Sequence, residues 1–202
     1  MIPAEVLAGL FGLAFTAMIT PGPNNLIVLA LGIQARPDRI AMAGGGILSG
    51  TVGLLIVNWF GMATIFTVYP VLRIVIVGIG SLYLGWCGLT MVLGAFAASS
   101  PDKRTFPASF WALAGFQFTN PKAWVLCVSA VSAMQLSNAG PAGLILLTAI
   151  FGIACVLSLS VWACAGRLLP LHRDRQHSPP WMSALPGFAL IVTSAALAVS
   201  AI

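Results

Sequence analysis

The stretch TPGPNN, Thr20 to Asn25, sets two prolines, a glycine and two asparagines inside a segment that is otherwise apolar from Val6 to Ile33. Proline donates no backbone hydrogen bond and its ring clashes with the preceding turn, so Thr20 to Pro23 is expected to unwind or sharply kink a helix passing through it. What such a break means depends on the medium around it.

Only 6% of the 202 residues are charged, 59% are hydrophobic and the mean hydropathy is +1.03. A soluble domain carries roughly 25% charged residues. Apolar runs of about 18 to 25 residues recur along the chain, each long enough to cross a hydrocarbon core of roughly 30 Å as a helix. The sequence reads as an all-α integral membrane protein with six transmembrane helices, near 5–33, 40–62, 70–96, 108–134, 142–166 and 181–201. MIPAEVLAGLFGL, residues 1–13, has no Lys or Arg before its apolar run and carries Glu5. It lacks the basic start of a cleavable signal peptide and is read as part of the first span.

Seven of the nine basic residues follow spans 1, 3 and 5: Arg36 and Arg39, Lys103 and Arg104, then Arg167, Arg173 and Arg175. The opposite side has only Arg73. Cytoplasmic loops are enriched in Lys and Arg, which places both termini on the periplasmic or outer side of a bacterial cytoplasmic membrane. The net charge of +5 then reflects short clusters that fix topology and meet anionic lipid head groups, not a nucleic-acid surface. His172 and His177 in HRDRQH, beside Arg173 and Arg175 with no nearby Cys or Glu, read as a solvated loop. Cys87, Cys127, Cys155 and Cys164 lie within apolar spans without a C-x-x-C, so neither a metal site nor a disulfide framework is indicated. No cofactor is implied. Gly46 with Gly50, and Ser81 with Gly85, are small residues four apart that let helices approach closely, within one chain or across a homodimer.

A break at membrane depth is tolerated only where it is buried in protein or lines a watery cavity, and its half-helix ends carry partial charges suited to ions. A second break follows. In GFQFTNPKAWVL, residues 115–126, Thr119, Asn120, Pro121 and Lys122 sit 14 residues from the start of span 4 (Lys122) and 12 from its end. A lysine so deep is costly, and snorkelling to an interface is an awkward reach. Pro23 and Pro121 are 98 residues apart, in the first helix of spans 1–3 and of spans 4–6. Three spans is an odd number, so the halves insert with opposite orientation. The expected architecture is a single membrane domain of two inverted three-helix repeats, 1–97 and 110–202, joined by a cytoplasmic linker at 98–109, with helices 1 and 4 broken at the midplane. That pattern points to the substrate site of a secondary transporter.

TPGPNNLIVLALG (20–32), GGGILSG (44–50), YLGWCGL (83–89) and FQFTNPKAW (116–124) resemble the signature regions of LysE/RhtB-type amino-acid exporters over essentially the full chain. FQFTNPKAW with VWACAGRLL (161–169) is most similar to the cysteine and O-acetylserine branch. The resemblance implies efflux of small amino acids or their relatives across the cytoplasmic membrane, driven by the proton gradient.

From the residue chemistry, Lys122 and the free amides after Pro23 are expected to hold a substrate carboxylate. Carbonyls freed before Pro21 and Pro23, with the side-chain oxygens of Asn24, Asn25 and Asn120, are expected to take its ammonium group. Thr20, Pro21, Gly22, Pro23, Asn24, Asn25, Asn120, Pro121 and Lys122 thus form the candidate site. Asn58 and Gln117 are secondary candidates, with interhelical hydrogen bonding as the alternative role. Glu5, Asp38, Asp102 and Asp174 all sit at span ends or in loops, which favours a neutral substrate side chain over a dibasic one. Protons are the expected coupling ion, and Lys122 the remaining group to carry one, since burial disfavours a charged amine. Two other classes stay open. A membrane thiol–disulfide carrier needs reactive cysteines at the breaks. An inorganic cation exporter needs clustered Asp, Glu or His at the midplane.

Overall fold

The computed structural model describes residues 2–61, 68–96, 108–136, 140–169 and 180–200, which form eight helices and no strand. They are α1 (Ala4–Ile19), α2 (Pro23–Ile33), α3 (Pro37–Trp59), α4 (Pro70–Phe96), α5 (Phe110–Gln117), α6 (Pro121–Leu136), α7 (Gly140–Leu168) and α8 (Pro180–Ser200). Five of the eight begin on a proline, where the missing N–H is one the first helical turn leaves unused anyway. Pro23 and Pro121 therefore act as starts of new helices, which is why the apolar segments around them are interrupted instead of merely bent.

α3, α7 and the Ile74–Phe96 part of α4 are each long and apolar enough to cross a membrane, and α1 with α2, bent by 58° at their junction, make a fourth candidate. α8 carries a shorter apolar stretch, Ala184–Ala196. The second break lies off centre. α5 is 8 residues and α6 is 16, whereas α1 is 16 and α2 is 11. Ser109 caps the start of α5 by accepting a hydrogen bond from the Ala112 amide at 3.2 Å. Lys103, Arg104, His172, Arg173, Arg175, His177 and most of the 98–109 linker lie outside the described residues.

α4 packs along α8; α7 packs on α1 and α2; α3 packs on α5 and α6 and also meets α7. Three of these pairings are backbone-close at glycines. A Cβ at Gly46 or Gly50 of α3 would fall on the carbonyl oxygens of Phe110 or Ala114 in α5. Gly32 of α2 and Gly166 of α7 abut each other's helices, with Gly32 on the Ala163 carbonyl and Gly166 on that of Leu29. Gly88 of α4 and Gly187 of α8 face each other's carbonyl oxygens, where a Cβ would come within 2.6 and 2.7 Å. With no hydrophobic drive between helices in lipid, such approach supplies the dispersion contacts that hold them. The small pairs read from the sequence thus work within one chain: Gly46/Gly50 against α5, and Ser81/Gly85 against α8, where Ser194 donates to the Ser81 carbonyl at 2.7 Å.

Two apolar clusters flank the middle of the molecule. One gathers Ile27, Val28 and Leu31 of α2 with Ile47, Leu113, Phe116, Cys155 and Leu159. The other gathers Leu10 and Ala14 of α1 with Leu54, Leu55, Leu126, Cys127, Ala130, Met134, Leu147 and Phe151. The outer surface is apolar too. Val71, Val75, Ile79, Leu82, Trp86, Leu89 and Leu93 form a continuous exposed stripe on α4, far more than a soluble monomer displays. At the α2–α3 corner, Arg36 sits 3.4 Å and Arg39 3.9 Å from Asp38, and the Arg36 guanidinium holds that carboxyl below the usual carboxylate range.

Gly50→Ala forces α3 and α5 apart and is expected to lower stability by about 1–3 kcal/mol, as overpacking does. Gly115→Ala on the same α5, where an added methyl meets nothing, is expected to be neutral or mildly stabilising. Thermal unfolding of the two variants in detergent checks the contrast.

Candidate functional site

The break between α1 and α2 strips four carbonyls of their helical partners, and in hydrocarbon none of them can turn to water. Each one is satisfied from elsewhere. The Thr20 hydroxyl donates to the Ala17 carbonyl at 2.8 Å. The Met18 carbonyl accepts from Asn25 Nδ2 at 2.7 Å and Ser158 Oγ at 2.8 Å. The Ile19 carbonyl accepts from Trp162 Nε1 at 3.0 Å. The Thr20 carbonyl accepts from Asn25 Nδ2 at 2.8 Å and from Lys122 Nζ at 3.1 Å. Asn25 folds back across the break, α7 supplies Ser158 and Trp162 from one face, and Lys122 reaches in from α6.

Lys122 Nζ also donates to the Thr20 hydroxyl at 2.9 Å, so this one ammonium joins the two broken segments. Two of its three donors are engaged. No carboxylate pairs with it: among the described residues the ion pairs are those of Arg36 and Arg39 with Asp38. The segments are joined a second time by Asn24 and Gln117, whose amides bond reciprocally at 2.9 and 3.1 Å. Gln117, fully buried, also donates to the Leu113 carbonyl at 3.1 Å.

The two breaks differ in how their second helices begin. Asn120 caps α6: its side-chain oxygen accepts from the Lys122 amide at 3.1 Å and its carbonyl from Ala123 and Trp124. The Asn120 oxygen thus already carries one hydrogen bond from its own helix, while the residue still lines the cavity at this junction. Similarly, the carbonyls freed before Pro21 are already taken, and Asn25 gives both amide hydrogens to them. Its oxygen is the end left over. The start of α2, by contrast, has no side-chain cap. Pro23 has no N–H, and the first helical amide bond there is Leu26 to the Gly22 carbonyl, which leaves the Asn24 and Asn25 amides directed out of the helix end.

A cavity opens at this junction, with about 50 Å³ available to the centres of water-sized molecules, several times the roughly 10–15 Å³ one water needs. Its polar wall brings together Gly22, Pro23, Asn24, Asn25, Gln117, Asn120 and Lys122; Ala17, Met18, Ile47, Leu126 and Leu159 form its apolar side. Thr20 and Pro21 form the break itself without lining the cavity, Pro121 starts α6, and Asn58 lies away from it on α3. Thr51, Ser158, Cys127 and Cys155 also face the cavity and were not singled out as site residues from the sequence. Ser158 and Trp162, four apart in an apolar span, carried the signal: two polar groups on one helix face. The described cysteines are free thiols, three of them buried and Cys164 exposed.

Residues 15–201 match the family described as LysE type translocator. The chain is 33% identical over 150 residues to the leucine efflux protein of Enterobacter sp. (strain 638), an alignment covering 67% of each. It is 32% identical over 127 residues to the leucine efflux protein of Klebsiella pneumoniae, covering 61% of this chain and 59% of that one. To the cysteine/O-acetylserine efflux protein of the same organism it is 28% identical over 173 residues, covering 83% and 85%. No solved structure matches the chain. The family's activity is translocation, not an enzymatic reaction, and with the apolar helices it makes this a multi-pass membrane protein.

Asn25→Ala removes two hydrogen bonds and leaves the Met18 and Thr20 carbonyls one partner each, so it is expected to cost about 1–3 kcal/mol. Adding Ser158→Ala leaves the Met18 carbonyl with none. The double variant is expected to lose more than the sum of the singles, read from thermal unfolding of all four proteins.

Proposed function

The chain belongs to the LysE type translocator family, and on that premise we propose that it is a secondary-active exporter of small neutral amino acids or their derivatives across the bacterial cytoplasmic membrane. The observation that carries this reading is the cavity between the two interrupted segments, where Lys122 faces an uncapped helix start and, among the described residues, no Asp, Glu or His lines the wall. A substrate carboxylate fits between the Asn24 and Asn25 amides and the third donor of Lys122, where helix polarity and the ammonium act together. The ammonium group of the substrate faces the Asn25 oxygen. Its side chain lies against Met18, Ile47, Leu126 and Leu159, a surface with no partner for a second charge. Relatives named for leucine and for cysteine and O-acetylserine support the neutral class.

The reading includes six spans in two inverted repeats, 1–97 and 110–202, with the cytoplasmic side at the basic connections and both termini opposite. Helix packing supports it, since pairings recur under exchange of the halves: α7 on α1 and α2 answers α3 on α5 and α6, and α4 meets its counterpart α8. Protons are the proposed driving ion, with Lys122 as their carrier.

Counterflow of radiolabelled leucine, cysteine, O-acetylserine, threonine and homoserine in proteoliposomes tests the proposal; exchange of none of them would falsify it. Lys122→Ala is expected to slow exchange by at least about tenfold, a loss of about 1.4 kcal/mol or more of stabilisation. Lys122→Gln is expected to lose uphill export under an imposed pH gradient. Full retention there rules out the proton role while leaving export intact.

A further inference from the structure

One polar atom is sealed in the wall beyond the cavity. On α3, Ile47, Thr51, Leu54 and Asn58 make a single buried stripe at helical spacing, and the first two line the cavity. Asn58 stands seven residues past Thr51, about 10 Å farther along the axis. α6 runs the same way. Lys122, Ala123, Leu126 and Cys127 face the cavity, Ala130, Val131 and Met134 continue buried beyond it, and the two helices meet at their ends where Gln135 Nε2 donates to the Trp59 carbonyl at 3.1 Å. Between cavity and that end lies the apolar cluster of Leu10, Leu54, Leu55, Met134, Leu147 and Phe151. The route is shut by packing.

Asn58 is only 5% exposed. Its Nδ2 donates to the Leu54 carbonyl at 2.8 Å, which fixes the orientation of the amide. Its Oδ1 has no hydrogen-bond partner and is the one such buried side-chain atom among the described residues. An empty acceptor in an apolar wall destabilises the packed state, and a leucine would fill the same space without that cost.

The geometry points to Asn58 Oδ1 as a second binding station, taking the ammonium group of the substrate between the cavity and the end closed by Trp59 and Gln135. It rests on the amino-acid export reading above. The station takes the ammonium group because the unpartnered atom is an acceptor, while the amide nitrogen already has the Leu54 carbonyl as a partner. Its oxygen gains a partner when α3 and α6 part, so the conformation that passes substrate recovers what the shut one forgoes.

The test uses the full chain in proteoliposomes with radiolabelled leucine and, in parallel, cysteine. Asn58→Leu and Asn58→Ala delete the oxygen. Asn58→Thr restores an acceptor while donating to the Leu54 carbonyl, as Thr51 does to that of Ile47. The leucine variant is expected to melt at or above the wild-type temperature, to keep its KM, and to export at least about tenfold more slowly, with the threonine variant within about threefold of wild type. Unchanged export by a folded Asn58→Leu overturns the station, as does a threonine variant no faster than the leucine one. If Asn58→Leu does not fold, the comparison of alanine with threonine decides by the same rule. A wild type that moves neither amino acid overturns the station together with the export reading for these substrates; a wild type that exports alongside equally active variants overturns the station alone.

Discussion

Everything at the centre of this molecule follows from four carbonyls that cannot be left bare. Once Pro21 and Pro23 end α1, the oxygens of Ala17, Met18, Ile19 and Thr20 lose their helical donors in a medium without water. The fold answers with Thr20, Asn25, Ser158, Trp162 and Lys122, drawn from α1, α2, α7 and α6. These elements are gathered around the break because the break needs them. The cavity lies against these groups, and Asn25, Lys122 and Ser158 belong to its wall as well.

The same accounting separates the two interruptions. Asn120 closes the start of α6 with its own side chain and carbonyl, so the peptide groups of that end are already paired. α2 starts without such a cap, and Lys122 stands beside it, close enough that a Cβ on Gly22 would come within 3.2 Å of its nitrogen. The polarity of the site is therefore one-sided: donors for an anion gather at α2, while acceptors are few. On the proposed reading, an amino acid would sit with its carboxylate towards α2.

Much of this was legible in the sequence. The prolines marked the interruptions, and the expected apolar segments coincide with helices, of which α3, α4, α7 and the bent pair α1 with α2 are long and apolar enough to cross a membrane. The polar residues around both breaks stood out against an apolar background, and seven of the eleven candidates line one cavity. What could not be read was how each polar side chain divides its bonds. Asn25 and Asn120 look alike in the sequence, yet one braces the preceding helix and the other caps the following one. Ser158 and Trp162 lie about 140 residues from the carbonyls they satisfy, and nothing local announces such partners.

The glycine contacts have a mechanical consequence. Where one backbone rests directly on another there are no side chains to change rotamer and let the helices slip. α3 is bonded to α5 in this manner, α2 to α7 and α4 to α8, so the bundle behaves as three stiff couples instead of eight separate rods. α1 and α6 stand outside these couples: Gly9 and Gly12 of α1 touch nothing, and α6 contains no glycine. These two helices meet their neighbours through side chains, so reshaping of the interior is least opposed there, against the frame the couples provide.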